Sequence, residues 1–361
     1  MSFLNEFCAS PVRTLVVDDA PLMRKVIPQI LSKHPEIEVV GTAANGRECL
    51  TKILDLRPDV VTLDMDMPVM NGITTIKNIM VRYQIPIVIV SSLIQDGYFA
   101  FEALRLGVVD FVPKPSGSSD GALEFDEELI RQRVHAASSM HVQCVRRVRR
   151  KKRKTVSNSL DESASPPVVV IGTTLAGPNS IMHILSRLGS NFPGTVICLQ
   201  EIHPRILAPF CSCFHEITPL EVLPVTQACP LRPGVVYIAS TATGARIGPS
   251  PEEPHELSVY VAEPTDSPID RLFESAADHF RDNTCGVLLS GLGTSGVEGM
   301  RKIKETGGLT ICKHQEGCVY PSLVANAIEQ GVVDVVLTEH GIANRLESWV
   351  KEKINMSESS S

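Results

Sequence analysis

The stretch VVTLDMDMPVMNG, Val60 to Gly72, passes from a short apolar run straight into carboxylates at Asp64 and Asp66. A run this short, without polar alternation, reads as a strand buried on both faces of a parallel sheet. Working outward, runs of the same kind lie at Thr14–Val17, Glu38–Gly41, Ile85–Val90 and Asp110–Val112. Helical periodicity predicts helices between them over Leu22–Lys33, Arg47–Leu56, Thr74–Arg82 and Phe99–Leu106, and a closing helix around Glu127–Met140. Strands alternating with helices imply right-handed βαβ units, so the fold class is α/β. Residues 12–130 have the size and five-stranded pattern of a flavodoxin-like domain.

Composition changes sharply after this domain. Arg146, Arg147, Arg149, Arg150, Lys151, Lys152, Arg153 and Lys154 form a basic block broken only by Val148, and SNSLDESASPP follows. Residues 141–166 cannot bury a core and read as a flexible linker, basic and then polar. The alternation then resumes, with strands expected at Val168–Ile171, Thr195–Leu199, Val235–Ala239, Gly286–Leu289, Leu309–Cys312 and Val332–Leu337. Helices are expected at Ser180–Leu188, Ile269–Phe280, Gly299–Glu305 and Leu323–Glu329. Residues 167–350 thus form a second, larger, doubly wound α/β domain, with a frayed polar tail from Met356.

The 361 residues are 43% hydrophobic and 21% charged, a globular balance. A net charge of −7 argues against nucleic acid as the partner of the whole chain. The basic linker leaves open a local grip on nucleic acid or anionic membrane, with a solvated tether as the plainer reading. The ten cysteines include no C-x-x-C pair, and several sit within apolar runs, as buried thiols do. The N-terminus has no signal-peptide pattern and no apolar run is long enough to span a membrane, so a reducing cytoplasm is the expected location.

Chemistry in an open α/β sheet gathers at the carboxyl ends of its strands. Asp18 and Asp19 follow the first strand, and Asp64 ends the third with Asp66 just beyond. Ser91 and Ser92 end the fourth strand, and the fifth leads through Phe111 to Lys114. Clustered hard oxygens suit Mg²⁺. A carboxylate nucleophile, a divalent cation, an ammonium and a hydroxyl together form an apparatus for a phosphoryl group.

These residues resemble the response-regulator receiver family. The resemblance implies that Asp64 is the phospho-acceptor. It further implies that Asp18 and Asp19 bind Mg²⁺ together with Asp64 and the backbone carbonyl of Asp66. Ser91 and Phe111 would be the switch residues and Lys114 the phosphate-pairing lysine. The segments VVVIGTTLAGP, PGVVYIA, SPIDRLFESAA and VLLSGLGTSGVEGM resemble the chemotaxis CheB-type protein-glutamate methylesterases, which are also credited with glutamine deamidation. The implied partners are a chemotaxis-type histidine kinase as phosphodonor and a methyl-accepting chemoreceptor as target.

That family uses a Ser–His–Asp arrangement for acyl transfer. Carried over residue by residue, the serine falls on Thr174, the histidine on Glu201 and the aspartate on Ser295. A carboxylate is a poor base for a hydroxyl at neutral pH, and Ser295 cannot stabilise an imidazolium. His203, two residues beyond Glu201, is either a displaced base for Thr174 or an ordinary surface histidine. Three altered positions predict a receiver-controlled protein with weak or absent hydrolysis. The rival expectations are an active methylesterase using Thr174 with His203 or Glu201, and a regulator that binds through its basic linker.

Overall fold

The computed structural model describes residues 10–92, 97–108, 110–114, 116–117, 123–124, 127–140, 142–144, 148, 167–175, 177–250 and 255–358. It divides into two compact units. Most of the expected linker, 141–166, lies outside the described residues.

The first unit contains strands β1 (Val12–Val17), β2 (Ile37–Ala43), β3 (Val60–Leu63), β4 (Ile87–Ser91) and β5 (Asp110–Pro113). They form one parallel sheet in the order β2-β1-β3-β4-β5. Helices α1 (Met23–Leu31), α2 (Gly46–Leu56), α3 (Gly72–Arg82), α4 (Gly97–Leu106) and α5 (Glu127–Ser138) connect or follow them, and the two-residue strands β6 (Ser116–Gly117) and β7 (Leu123–Glu124) pair between β5 and α5. The expected elements appear within a few residues of their predicted bounds. β4 starts at Ile87 because Pro86 has no N–H for the ladder.

Local chemistry sets the helix starts. Asn45 Oδ1 accepts the Glu48 N–H at 3.0 Å while Glu48 Oε2 accepts the Ala44 N–H at 2.7 Å, a reciprocal cap on α2. Asn71 Oδ1 accepts the Thr74 N–H at 2.9 Å to begin α3. Gly72 is required there, since a Cβ would lie 2.7 Å from Met65 Cα and 2.9 Å from the Asp64 carbonyl oxygen.

Val69, in the β3–α3 turn, has φ 68° and is 71% exposed. A β-branched residue is strained in the left-handed region, and here no burial compensates. Val69→Gly should therefore stabilise the protein by about 1 kcal/mol. Calorimetry of the full chain checks this, and an unchanged or lower midpoint counts against the strain.

The second unit carries β8 (Val168–Gly172), α6 (Gly177–Leu185), β9 (Thr195–Gln200), α7 (Pro204–Ser212), β10 (Glu221–Pro224), β11 (Cys229–Pro230), β12 (Val235–Ser240), β13 (Arg246–Pro249) and β14 (Leu257–Tyr260). After these come α8 (Pro268–Phe280), β15 (Thr284–Leu288), α9 (Val297–Glu305), β16 (Leu309–Lys313), α10 (Ser322–Glu329), β17 (Val335–Leu337) and α11 (Glu339–Glu358). Seven parallel strands run in the order β10-β12-β9-β8-β15-β16-β17, and β11-β14-β13 form a small antiparallel sheet. One face of the large sheet is covered by a stripe on α8, where Ile269, Leu272, Phe273, Ala276, Ala277 and Phe280 recur at helical spacing and join the core.

Six of these elements, β10, β11, β13, β14, α7 and α11, have no counterpart in the sequence expectation. β10 and the small sheet are short and partly exposed, so their periodicity is weak. α7 contains Pro209 but starts well, with Pro204 in its first turn. α11 carries the second unit past residue 350 to Glu358, instead of fraying from Met356. Its Ile342, Ala343, Leu346, Trp349 and Val350 form a buried stripe. The eight described cysteines are free thiols, all buried except Cys229. Among the described residues no helix is long and apolar enough to cross a membrane.

A buried ion pair fastens α11. Lys313 Nζ lies 2.7 Å from Glu339 Oε1 and donates to Ser180 Oγ at 2.9 Å. Glu339→Gln leaves that ammonium uncompensated, so it should cost roughly 3 kcal/mol. The double variant with Lys313→Met should recover part of this in denaturant titration. A Glu339→Gln chain as stable as the parent would show the pair to be dispensable.

Candidate functional site

Two sites lie at strand carboxyl ends. In the first unit, β1 ends at fully buried Asp18 and exposed Asp19, and β3 ends at Asp64, which is 4% exposed. One oxygen from each of the three carboxylates falls within 4.8 Å of the others. Lys114 Nζ bridges two of them, 2.7 Å from Asp18 Oδ2 and 2.6 Å from Asp64 Oδ2. The remaining Asp64 oxygen, Oδ1, accepts the Met65 N–H at 2.7 Å.

The sheet register brings Lys114 here. Ser91 at the end of β4 pairs with Pro113, and the Lys114 N–H donates to the Ser91 carbonyl at 3.1 Å. Ser91 is buried at this edge, and Phe111 sits half-buried on β5 beside Ile89. Asp66 is exposed two residues beyond Asp64. Asp18, Asp19, Asp64 and Lys114 therefore converge, with Ser91 at the end of the neighbouring strand.

Burial pushes the Asp18 carboxyl above its ordinary pKa, against the Lys114 interactions that lower it. Burial alone would lower the Lys114 pKa, but bonds to Asp18 and Asp64 outweigh it, and the ammonium is held above its ordinary value. Three carboxylates against one ammonium leave excess negative charge on hard oxygens, a donor set that fits Mg²⁺.

The second site lies where the large sheet reverses its order. β8 leads to β9 on one side, and the chain returns through β15 on the other. Crevices at such switch points hold ligands. Thr174 follows β8 here, but its hydroxyl is engaged on both sides by Leu292 of the β15–α9 turn. It accepts the Leu292 N–H at 2.8 Å and donates to the Leu292 carbonyl at 3.2 Å. Gly291 permits the approach, since a Cβ there would lie 2.4 Å from Thr174 Oγ1.

Neighbouring hydroxyls tie the same turns together. Thr173 Oγ1 donates to the Ser290 carbonyl, and Ser290 Oγ accepts the Tyr320 N–H at 2.9 Å. Ser295 Oγ accepts the Ile269 N–H at 3.2 Å, at the start of α8. A nearby carboxylate, Asp270, is buried and accepts the Gly299 N–H of α9 at 2.8 Å.

Glu201 and His203 follow β9 on the same edge, and Thr174 makes its hydrogen bonds to Leu292 rather than to either. His203 caps α7, its Nδ1 accepting the Arg205 N–H at 3.2 Å. With that lone pair occupied, the neutral ring carries its proton on Nε2. Burial and the Arg205 charge both hold the His203 pKa below its ordinary value, favouring the neutral ring. The preceding turn is also pinned, with Ser240 Oγ donating to the Ile202 carbonyl at 2.5 Å. Sequence reading missed the Leu292 backbone and Asp270; nothing local signals a partner 118 residues away in sequence.

Comparison with known proteins supplies the family. The response regulator receiver domain matches residues 14–123, and the CheB methylesterase family matches residues 169–346. A protein-glutamate methylesterase/protein-glutamine glutaminase of Archaeoglobus fulgidus is 32% identical over 349 residues, covering 95% of this chain and 99% of that protein. The protein-glutamate methylesterase/protein-glutamine glutaminase 2 of Carboxydothermus hydrogenoformans is 35% identical over 360 residues, covering 95% and 100%. The crystal structure of the Thermotoga maritima CheB methylesterase catalytic domain is similar at TM-score 0.48 and 26% identity, covering 52% of this chain and all of that one. With a receiver followed by a methylesterase domain, and such relatives matched along nearly its whole length, the chain belongs to the CheB family of chemotaxis response regulators.

Proposed function

We propose that this protein is a phosphorylation-controlled regulator that takes a phosphoryl group on Asp64 and binds chemoreceptors through an effector domain that has given up ester hydrolysis. The observation that carries the second half is the two-way bond between the Thr174 hydroxyl and the Leu292 backbone. A nucleophile must hand its proton to a base and turn towards a carbonyl. Thr174 donates to the Leu292 carbonyl instead, and the His203 Nδ1 lone pair is already taken by the Arg205 N–H.

In the receiver, Asp18, Asp19 and Asp64, with the Asp66 carbonyl, would hold Mg²⁺. The ion would neutralise charge developing on phosphoryl oxygens. Asp64 offers the nucleophilic carboxylate, and Met65 N–H and Lys114 Nζ orient it. Lys114, already paired with Asp64, is placed to pair with the phosphoryl group formed there. Ser91 and Phe111 would report its arrival. A chemotaxis-type histidine kinase is the natural donor.

The test is co-sedimentation of the full chain with receptor-containing membranes, before and after treatment with acetyl phosphate and Mg²⁺. Phosphorylation-dependent retention without methanol release supports the reading. No retention in either state removes the receptor as target. Rapid methanol release restores the activity named for the relatives.

A further inference from the structure

Arg24, the second residue of α1, reaches back over the β1–α1 turn. Its Nη1 donates to the Asp18 carbonyl at 2.8 Å and to the Asp19 carbonyl at 2.7 Å. We propose that Arg24 is a positioning residue for the divalent-cation site, pinning the backbone of two adjacent acidic residues so that their carboxylates converge with Asp64. The inference rests on the Mg²⁺-dependent phosphorylation proposed above.

The turn needs such a clamp. Leu22 supplies no side-chain cap to α1. Asp18 is well fixed, its N–H donating to the Ala43 carbonyl at 3.0 Å and its Oδ1 accepting the Ala20 N–H at 2.9 Å. Asp19 is exposed, so its carboxylate stays near Asp18 and Asp64 only if its backbone is held. Arg24 holds that backbone at the carbonyl. A planar guanidinium suits the task better than a lysine ammonium, which is a mobile point charge.

Electrostatics alone argues the other way, which makes the sign of the effect diagnostic. A guanidinium beside a cation site repels the cation. If charge dominated, removing Arg24 would tighten Mg²⁺ binding. If positioning dominates, removal weakens it, as loss of partners that orient metal ligands weakens affinity.

The experiment is Mg²⁺ titration by isothermal calorimetry on the full-length protein and its Arg24→Gln and Arg24→Lys variants, with acetyl phosphate labelling across a Mg²⁺ series. Arg24→Gln should raise the Mg²⁺ dissociation constant about 10-fold. The half-saturating Mg²⁺ for labelling should rise in parallel. The maximal rate at saturating Mg²⁺ should stay within about twofold, since the clamp touches no reacting atom. Arg24→Lys, which keeps the charge and the stem, should also weaken binding, and it carries the test if the Gln variant does not fold. Unchanged or tighter binding in a folded variant overturns the proposal. A parent protein that neither binds Mg²⁺ nor accepts label overturns the phosphorylation reading itself, and the two failures are distinguishable.

Discussion

Phosphorylated protein carrying Thr174→Ser, Glu201→His and Ser295→Asp together should release methanol from methylated chemoreceptor about four orders of magnitude faster than the natural chain, or ~5 kcal/mol in barrier. On the reading proposed above, each change would supply one part of a Ser–His–Asp arrangement. Serine lacks the γ-methyl that restricts the Thr174 side chain to few rotamers, so its hydroxyl can leave Leu292 and turn outward. Histidine at 201 supplies a base with a usable lone pair. Aspartate at 295 supplies a carboxylate to orient that ring, and as a good helix cap it can still accept the Ile269 N–H. No single change should recover more than a small part, because the three roles act as a unit. A single variant as active as the triple would contradict this.

The second large effect belongs to the receiver. Asp64→Asn should abolish labelling by acetyl phosphate or by a chemotaxis-type kinase, and removal of Mg²⁺ with EDTA should do the same to the parent. The amide keeps the shape of the carboxylate but is not a nucleophile. Folding should survive, because Lys114 keeps its partner Asp18 at 2.7 Å. Normal labelling of the variant, located elsewhere by mass spectrometry, would mean that another residue is the acceptor.

Much of this was legible in the sequence, for reasons that can be named. The strands Val60–Leu63 and Val168–Gly172 are buried along their whole length, so they read as uninterrupted apolar runs. Asp18, Asp64, Ser91 and Lys114 could be placed together because parallel strands deliver all their carboxyl ends to one edge. α11 was less legible because its apolar stripe is interrupted by charged residues, although the spacing from Ile342 to Val350 is helical. The altered residues of the second site were readable, but the bond that engages the Thr174 hydroxyl was not. Thr174 and Leu292 meet only because β8 and β15 are sheet neighbours, and neither local segment announces the bond. The cap formed by His203 on α7 is likewise a matter of side-chain direction, which residue type alone leaves open.

The most direct measurement is methanol release from methylated chemoreceptor by the phosphorylated natural protein, run beside His203→Ala with receptor binding monitored in both. Negligible release from either protein, with equal binding, is the expected result. Brisk release by the natural protein that disappears in His203→Ala would contradict it and establish His203 as a working base.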